Sequence, residues 1–290
     1  MKIQSLSVVV PNQKCINNCA FCVSKMHTED YTNQKEGNDR FYDLYERDYV
    51  KRLEFARDNG CNTVVLTGNS EPQQNRGFLK IFGTLNNHLS KPFRKIDLQT
   101  TGVLLDDEYL RFLRNHVGVN TIALSMSDMF SDGNNAKING TPEHLAVDIE
   151  HLCCEIKRYD FNLRLSLNLT DVYNNKRAEE IFRRAKELKA DQLTFRELYS
   201  SGLGTPQDEW IEQHALSSHV LEEIKQFIRQ NGRPLRIMEY GQTLYSVREM
   251  SVIVDDDCMS TALKEDIKYL ILRPDCKLYS NWDDKGSLVF

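Results

Sequence analysis

The 290-residue chain lacks any apolar run approaching the ~20 residues a bilayer-spanning helix needs, so a helical membrane protein is set aside. Proline (7) and glycine (14) are too few for a collagenous or low-complexity chain, and no internal repeat is visible. A basic surplus is also missing. With 37 Lys and Arg against 42 Asp and Glu, the net charge of −5 supplies no field for unspecific binding to nucleic acid or anionic membrane. Met1 to Ser5 carries no secretory h-region, and a cytoplasmic location is expected. What remains, at 40% apolar and 27% charged, is an ordinary globular chain, long enough for one large α/β domain and an appendage. Cysteine is not scarce: there are eight, and in a cytosolic chain of this length they point to metal or catalysis before disulfides.

β-rich runs alternate with helical patterns. Strands are predicted at Ser5 to Val10, Asn62 to Thr67, Lys95 to Thr101, Asn120 to Ser127, Asn162 to Thr170 and Gln192 to Tyr199. Between them, Tyr49, Val50, Leu53 and Ala56 line a helix face ending at Gly60. A second helix is predicted from Thr141 as N-cap and Pro142 through Leu145, Ile149, Leu152 and Ile156. A third carries Ala178, Ile181, Phe182, Ala185 and Leu188 on one side. Six βα units favour a partial or full α/β barrel over a doubly wound sheet. Past Gly204 comes a long helical stretch to Gly232, then β-like runs with a hairpin at Asp266 to Arg273 and Lys277 to Ser280. The expected division is residues 1–204 and 205–290. The polar stretches His27 to Arg40 and Asp128 to Gly140 read as loops.

Strand parity predicts a polar lumen, because alternate side chains face opposite sides. Leu124 and Leu165 belong to apolar sets packed under helices. Thr121, Ala123, Ser125, Ser127, Arg164, Ser166, Asn168 and Thr170 then point inward, with Gln99 and Thr101. Barrels that are merely structural fill that space with branched apolar residues. Sixth-strand parity leaves either Glu197 and Tyr199, or Thr194 and Arg196, inside.

Cys15, Cys19 and Cys22 form C-x3-C-x2-C directly after the first strand. Three thiols this close leave one always unpaired as disulfides, so a metal is the natural occupant. Two metals compete: zinc, completed by His27 as a Cys3His set, and an iron–sulfur cube whose fourth iron stays open. At the end of the second strand, Thr67-Gly68-Asn69-Ser70-Glu71-Pro72 offers a glycine for close backbone approach and a carboxylate able to accept from an ammonium. Cys153, Cys154 and Cys61 read as buried small hydrophobes, and Cys258 and Cys276 as weaker candidates for a substrate or radical role.

The cysteine motif and the Gly68 to Pro72 loop resemble the radical S-adenosylmethionine (SAM) superfamily over roughly residues 5 to 200. Gln99-Thr100-Thr101-Gly102, the stretch from Ile122 to Pro142 and Phe195-Arg196-Glu197-Leu198 are similar to its molybdopterin-precursor cyclase branch, and Leu270 to Tyr279 to the hairpin of its peptide-modifying members. The resemblance implies a partial (β/α)6 TIM-like barrel with a C-terminal α+β extension that closes it and shapes the substrate site. It implies that Cys15, Cys19 and Cys22 hold a [4Fe–4S] cluster. SAM is then expected to chelate the open iron and to be met by Gly68, Asn69, Ser70, Glu71, Thr101, Ser125, Ser127 and Arg164. Asn69-Ser70 replace the single glycine usual in that loop. Only one cluster is expected, since Cys258 and Cys276 are too few for a second. The activity expected is reductive SAM cleavage and hydrogen-atom abstraction by the 5′-deoxyadenosyl radical. The partners expected are a peptide, amino acid or small-molecule substrate and an electron donor such as flavodoxin or ferredoxin, with no membrane and nucleic acid disfavoured. The alternatives are a nucleotide- or RNA-modifying member, and a zinc-stabilised binding protein.

Overall fold

The computed structural model describes residues 2–26, 41–238, 242–255, 266–282 and 285–290. Its centre is a parallel sheet whose strands begin with β1 (Lys2–Val9), β2 (Thr63–Thr67) and β3 (Lys95–Thr100) and continue with β4 (Thr121–Met126), β5 (Asn162–Asn168) and β6 (Gln192–Arg196). These pair in sequence order, β1 to β6, as crossover connections require. All six fall within the predicted runs or within three residues of them.

Two further parallel strands come from the C-terminal segment. After β7 (Arg233–Ile237) and β8 (Thr243–Val247), β9 (Met250–Asp255) lies parallel to β6; β10 (Asp266–Leu272) lies parallel to β1 at the opposite edge. β11 (Leu278–Tyr279) completes the predicted hairpin with β10. The sheet runs β11-β10-β1-β2-β3-β4-β5-β6-β9-β8-β7. Its two ends are capped by antiparallel strands and, among the described residues, do not pair with each other, so the barrel is open.

Register explains the layering. Leu6, Val64, Leu98, Ile122, Leu124, Leu163, Leu165 and Phe195 share one parity and are fully buried under the helices. The opposite parity carries Ser7, Gln99, Ser125, Ser166 and Asn168 into the lumen, as the alternation predicts. The helices outside are α1 (Val23–Met26), α2 (Phe41–Asp58), α3 (Arg76–His88), α4 (Asp107–Phe112), α5 (Asp132–Ile138), α6 (Ile149–Arg158), α7 (Ala178–Glu187), α8 (Pro206–His214) and α9 (Ser218–Asn231). α7 buries Ala178, Ile181, Phe182 and Ala185, and Phe182 stacks on Phe227 of α9 at 5.0 Å. No described helix is long and apolar enough to cross a membrane.

Two expectations fail locally. The helix expected from Thr141 begins at Ile149, because the Asp148 side chain accepts from His151 N (2.8 Å) and caps it there; residues 143–145 form only a 3-10 turn. The stretch 128–140, read as a loop, contains α5, whose N-cap Ser131 accepts from Asn134 N. The His27 to Arg40 stretch lies outside the described residues.

Gly83 of α3 packs against the π-helical turn Leu113–Val117 that extends α4; a Cβ there would stand 2.2 Å from the His116 carbonyl oxygen. Since the obstacle is backbone, Gly83→Ala is expected to cost ~1–3 kcal/mol, read as a lower denaturant midpoint at unchanged slope.

Candidate active site

The cysteine loop between β1 and α1 has no regular structure to fix it, so side chains from neighbouring loops hold it. Asn18 N donates to Asn139 O (3.1 Å) and Gly140 O (3.2 Å), tying the loop to the end of α5. Gly140 has φ +56, and a Cβ there would meet the Asn18 carbonyl oxygen at 2.6 Å, so glycine alone permits this approach. On the other flank Ile16 N donates to Gln74 Oε1 (2.9 Å), and Asn75 Nδ2 to Pro11 O (2.7 Å).

Glu71 joins these flanks. Its carboxylate is 5% exposed and accepts from Asn17 Nδ2 (3.2 Å), Thr100 Oγ1 (2.7 Å), Thr101 N (3.0 Å) and Thr101 Oγ1 (2.6 Å). Asn17 Oδ1 in turn accepts from Thr141 Oγ1 (3.0 Å). Four donors fill most of what two carboxylate oxygens can accept. Glu71 therefore acts here as a bracket between the cysteine loop and the end of β3. Gly68 is likewise needed for protein packing, because a Cβ would meet Val10 O at 3.0 Å.

Cys15, Cys19 and Cys22 line one cavity of about 320 Å³ together with Gly68, Asn69, Ser70, Glu71, Thr101 and Ser125. All three are free thiols. Burial pushes the Cys15 and Cys19 thiols up, and for Cys19 the charges of Cys22, Cys15 and Glu71 add to the effect while Lys25 opposes it. Three thiolates at this site thus need a cationic partner. Among the described residues no three His, Cys, Asp or Glu side chains converge tightly enough to hold a single metal ion. His27 lies outside the described residues. Ser70 Oγ, on a lining residue, is buried without a hydrogen-bond partner among the described residues, which fits a polar cofactor seated beside the thiols.

Two expected contacts lie elsewhere. Ser127, fully buried past the end of β4, donates to Asn139 Oδ1 (2.7 Å) and supports α5. Arg164 sits deeper in the lumen, 2.8 Å from Asp97 and donating to Gln192 Oε1 (2.7 Å), and neither residue lines the cavity. At the end of β6, Arg196, Glu197 and Tyr199 all line it, since alternation ends with the strand at Arg196. Arg196 lies 3.9 Å from Asp255, and Glu197 3.5 Å from Lys225. Tyr269 and Trp282, which the sequence reading missed, also line the cavity.

Cys61 and Cys153 are buried, as expected; Cys154 is exposed and accepts from Lys189 Nζ (3.1 Å). Cys276, a buried non-glycine residue at φ +60, lies outside the cavity lining, its thiol raised to about 12 chiefly by burial. Cys258 lies outside the described residues.

An open barrel of parallel strands with three thiols at its C-terminal mouth places candidate metal ligands where proteins of the α/β-barrel class build their active sites. The chain belongs to the radical SAM superfamily, whose profile matches residues 9–162. No curated protein matches it in sequence. In structure it is similar to coproporphyrinogen III oxidase (HemN) from Escherichia coli, a radical SAM enzyme, with TM-score 0.54 and 17% identity over 80% of this chain and 54% of that one. It is similar also to native anSMEcpe with bound AdoMet and a peptide, with TM-score 0.57 and 13% identity over 96% of this chain and 74% of that one. At such identities the likeness is one of fold, and the chain spans about half the length of HemN. Family membership makes the protein an enzyme whose cofactors are SAM and a [4Fe–4S] cluster.

Gly140→Ala is expected to leave the circular dichroism spectrum intact while iron bound per chain after anaerobic reconstitution falls several-fold. Wild-type iron content in that variant would show that the α5 contact does not position the loop.

Proposed function

We propose that this enzyme cleaves SAM reductively and removes a hydrogen atom from a peptide, amino acid or small-molecule substrate. The observation that carries the reading is the convergence of Cys15, Cys19 and Cys22 on one cavity at the strand C-termini that also presents Gln99, Ser125 and Asn168. When bound, the cluster and SAM supply the electron transfer and the 5′-deoxyadenosyl radical. The protein's own residues bind, orient and exclude water. The three thiolates hold the metal core, and Glu71, through Asn17 and Thr101, fixes their loop. Ser70, Asn69 and Ser125 offer polar atoms to SAM, Ser127 accepts from the neighbouring Asn168 Nδ2 (3.4 Å), and Arg164 pairs with Asp97 deeper in the lumen. Residues 205–290 act as an extension that lengthens the sheet at both edges and contributes the substrate-facing wall. The electron is delivered by a low-potential donor such as flavodoxin or ferredoxin.

Charge favours a peptide or small molecule over a nucleotide. Among the described residues Arg196 is the one cationic side chain lining the cavity, and Asp255 lies beside it. A nucleoside triphosphate would call for several converging cations. The peptide carried by anSMEcpe, whose fold this chain shares over 96% of its length, supports the same choice.

Purified without oxygen, the protein should be brown, contain about four irons per chain and bleach with dithionite. Adding SAM and reductant should release 5′-deoxyadenosine and methionine, and Cys22→Ala should abolish both the colour and the release. Colourless protein holding one zinc would overturn the proposal.

A further inference from the structure

The cavity has two unlike walls. Along β3 to β6 it presents the hydrogen-bonding side chains Gln99, Ser125, Ser166 and Asn168 around the small Ala123, while Phe21 and Leu198 add apolar surface from the loops at the mouth. At the β10 edge it presents Tyr269 and Trp282, which pack on a small hydrophobic cluster of Val9, Ile271 and Tyr279 that is separate from the main core. Tyr269 faces the lumen because it pairs in register with Ser5 of β1, two residues before the cavity-lining Ser7.

Trp282 follows β11 in a turn with no strand or helix to orient it. Arg273, at the end of β10, supplies the constraint. Its side chain is completely buried, lies over the Tyr279 ring (3.9 Å to the centroid), and donates from Nη2 to the carbonyl oxygens of Trp282 (2.7 Å) and Asn281 (3.1 Å). A buried guanidinium donating to two successive carbonyls fixes the backbone from which Trp282 projects.

We infer that Tyr269 and Trp282 form the specificity-determining wall of the active site, seating an uncharged apolar or aromatic group of the substrate, and that Arg273 is the positioning residue for Trp282. The inference deepens the proposed function and rests on it. The polar wall suits the cofactor, whereas an anionic group brought against the two rings would lose its hydration without gaining a cation from the described lining there. The substrate portion nearest β10 is therefore apolar.

Trp282 is one of only two tryptophans, so in a Trp210→Phe background emission from the full-length, cluster-loaded protein reports it alone. N-acetyl-phenylalaninamide should shift that emission saturably, whereas N-acetyl-aspartamide and adenosine monophosphate should not. Tyr269→Ala should weaken the phenylalaninamide response about five-fold, the size of a lost aromatic contact. Arg273→Met should red-shift Trp282 emission and abolish the response, with Arg273→Lys restoring part of it. If Arg273→Met does not fold, the Tyr269→Ala and Arg273→Lys results decide. Equal responses to the apolar and acidic amides, tighter binding of the nucleotide, or no saturable response would overturn the assignment of the wall. An unchanged response in folded Arg273→Met would overturn the role of Arg273. Iron content is counted on the same samples, so protein that binds the apolar probe but holds no cluster would refute the proposed function and leave the wall standing.

Discussion

The active site depends on one buried carboxylate. Glu71 lies at the mouth of the barrel where a bare charge would be costly, and four donors from three other residues offset that cost. Those donors come from the irregular cysteine loop and from the C-terminal end of β3. The hub therefore gives the irregular loop a fixed position on a rigid sheet, which is what a metal site with geometric demands requires. Asn17 extends it to Thr141, and Gly140 lets the neighbouring backbone close in. Removing any member would act on the cysteines without touching them.

The sheet supplies the rest through its period of two. One set of side chains builds a leucine- and valine-rich layer beneath the helices, and the other builds a lumen of hydroxyls and amides. A closed structural barrel would fill that lumen with apolar residues. Here the barrel stays open, and the chain uses its last strands to lengthen the sheet at both edges, β9 beside β6 and β10 beside β1. The second addition brings Tyr269 and Trp282 to a cavity that also presents the hydroxyls and amides of β3 to β5.

Much of this was legible in the residues themselves. Parallel strands buried on both faces are long and strongly patterned, so β1 to β6 and their inward parity could be read directly, as could the hairpin at β10 and β11. The cysteine spacing located the metal site because its three ligands are close in sequence. What escaped reading depends on contacts between distant segments. That Arg164 pairs with Asp97, and not with a ligand, follows from how far along β5 it stands relative to β3, a depth that parity does not encode. Gly140 ends the stretch read as a loop, and the demand for glycine there comes from the Asn18 backbone, over 120 residues away in sequence. Tyr269 and Trp282 lie more than 240 residues from the thiols whose cavity they share, and nothing in their neighbourhood marks them. The start of α6 was misjudged for a local reason: Thr141-Pro142 and Asp148 both make good helix starts, and the Asp148 side chain won.

The central claim is that three thiolates hold a four-iron core whose remaining iron takes SAM. It is tested most directly by electron paramagnetic resonance of the reduced, cluster-loaded protein with SAM labelled at its amino nitrogen. The account predicts a hyperfine coupling between the cluster and that nitrogen, absent in Cys22→Ala. A reduced four-iron signal that does not change when labelled SAM is added would contradict it.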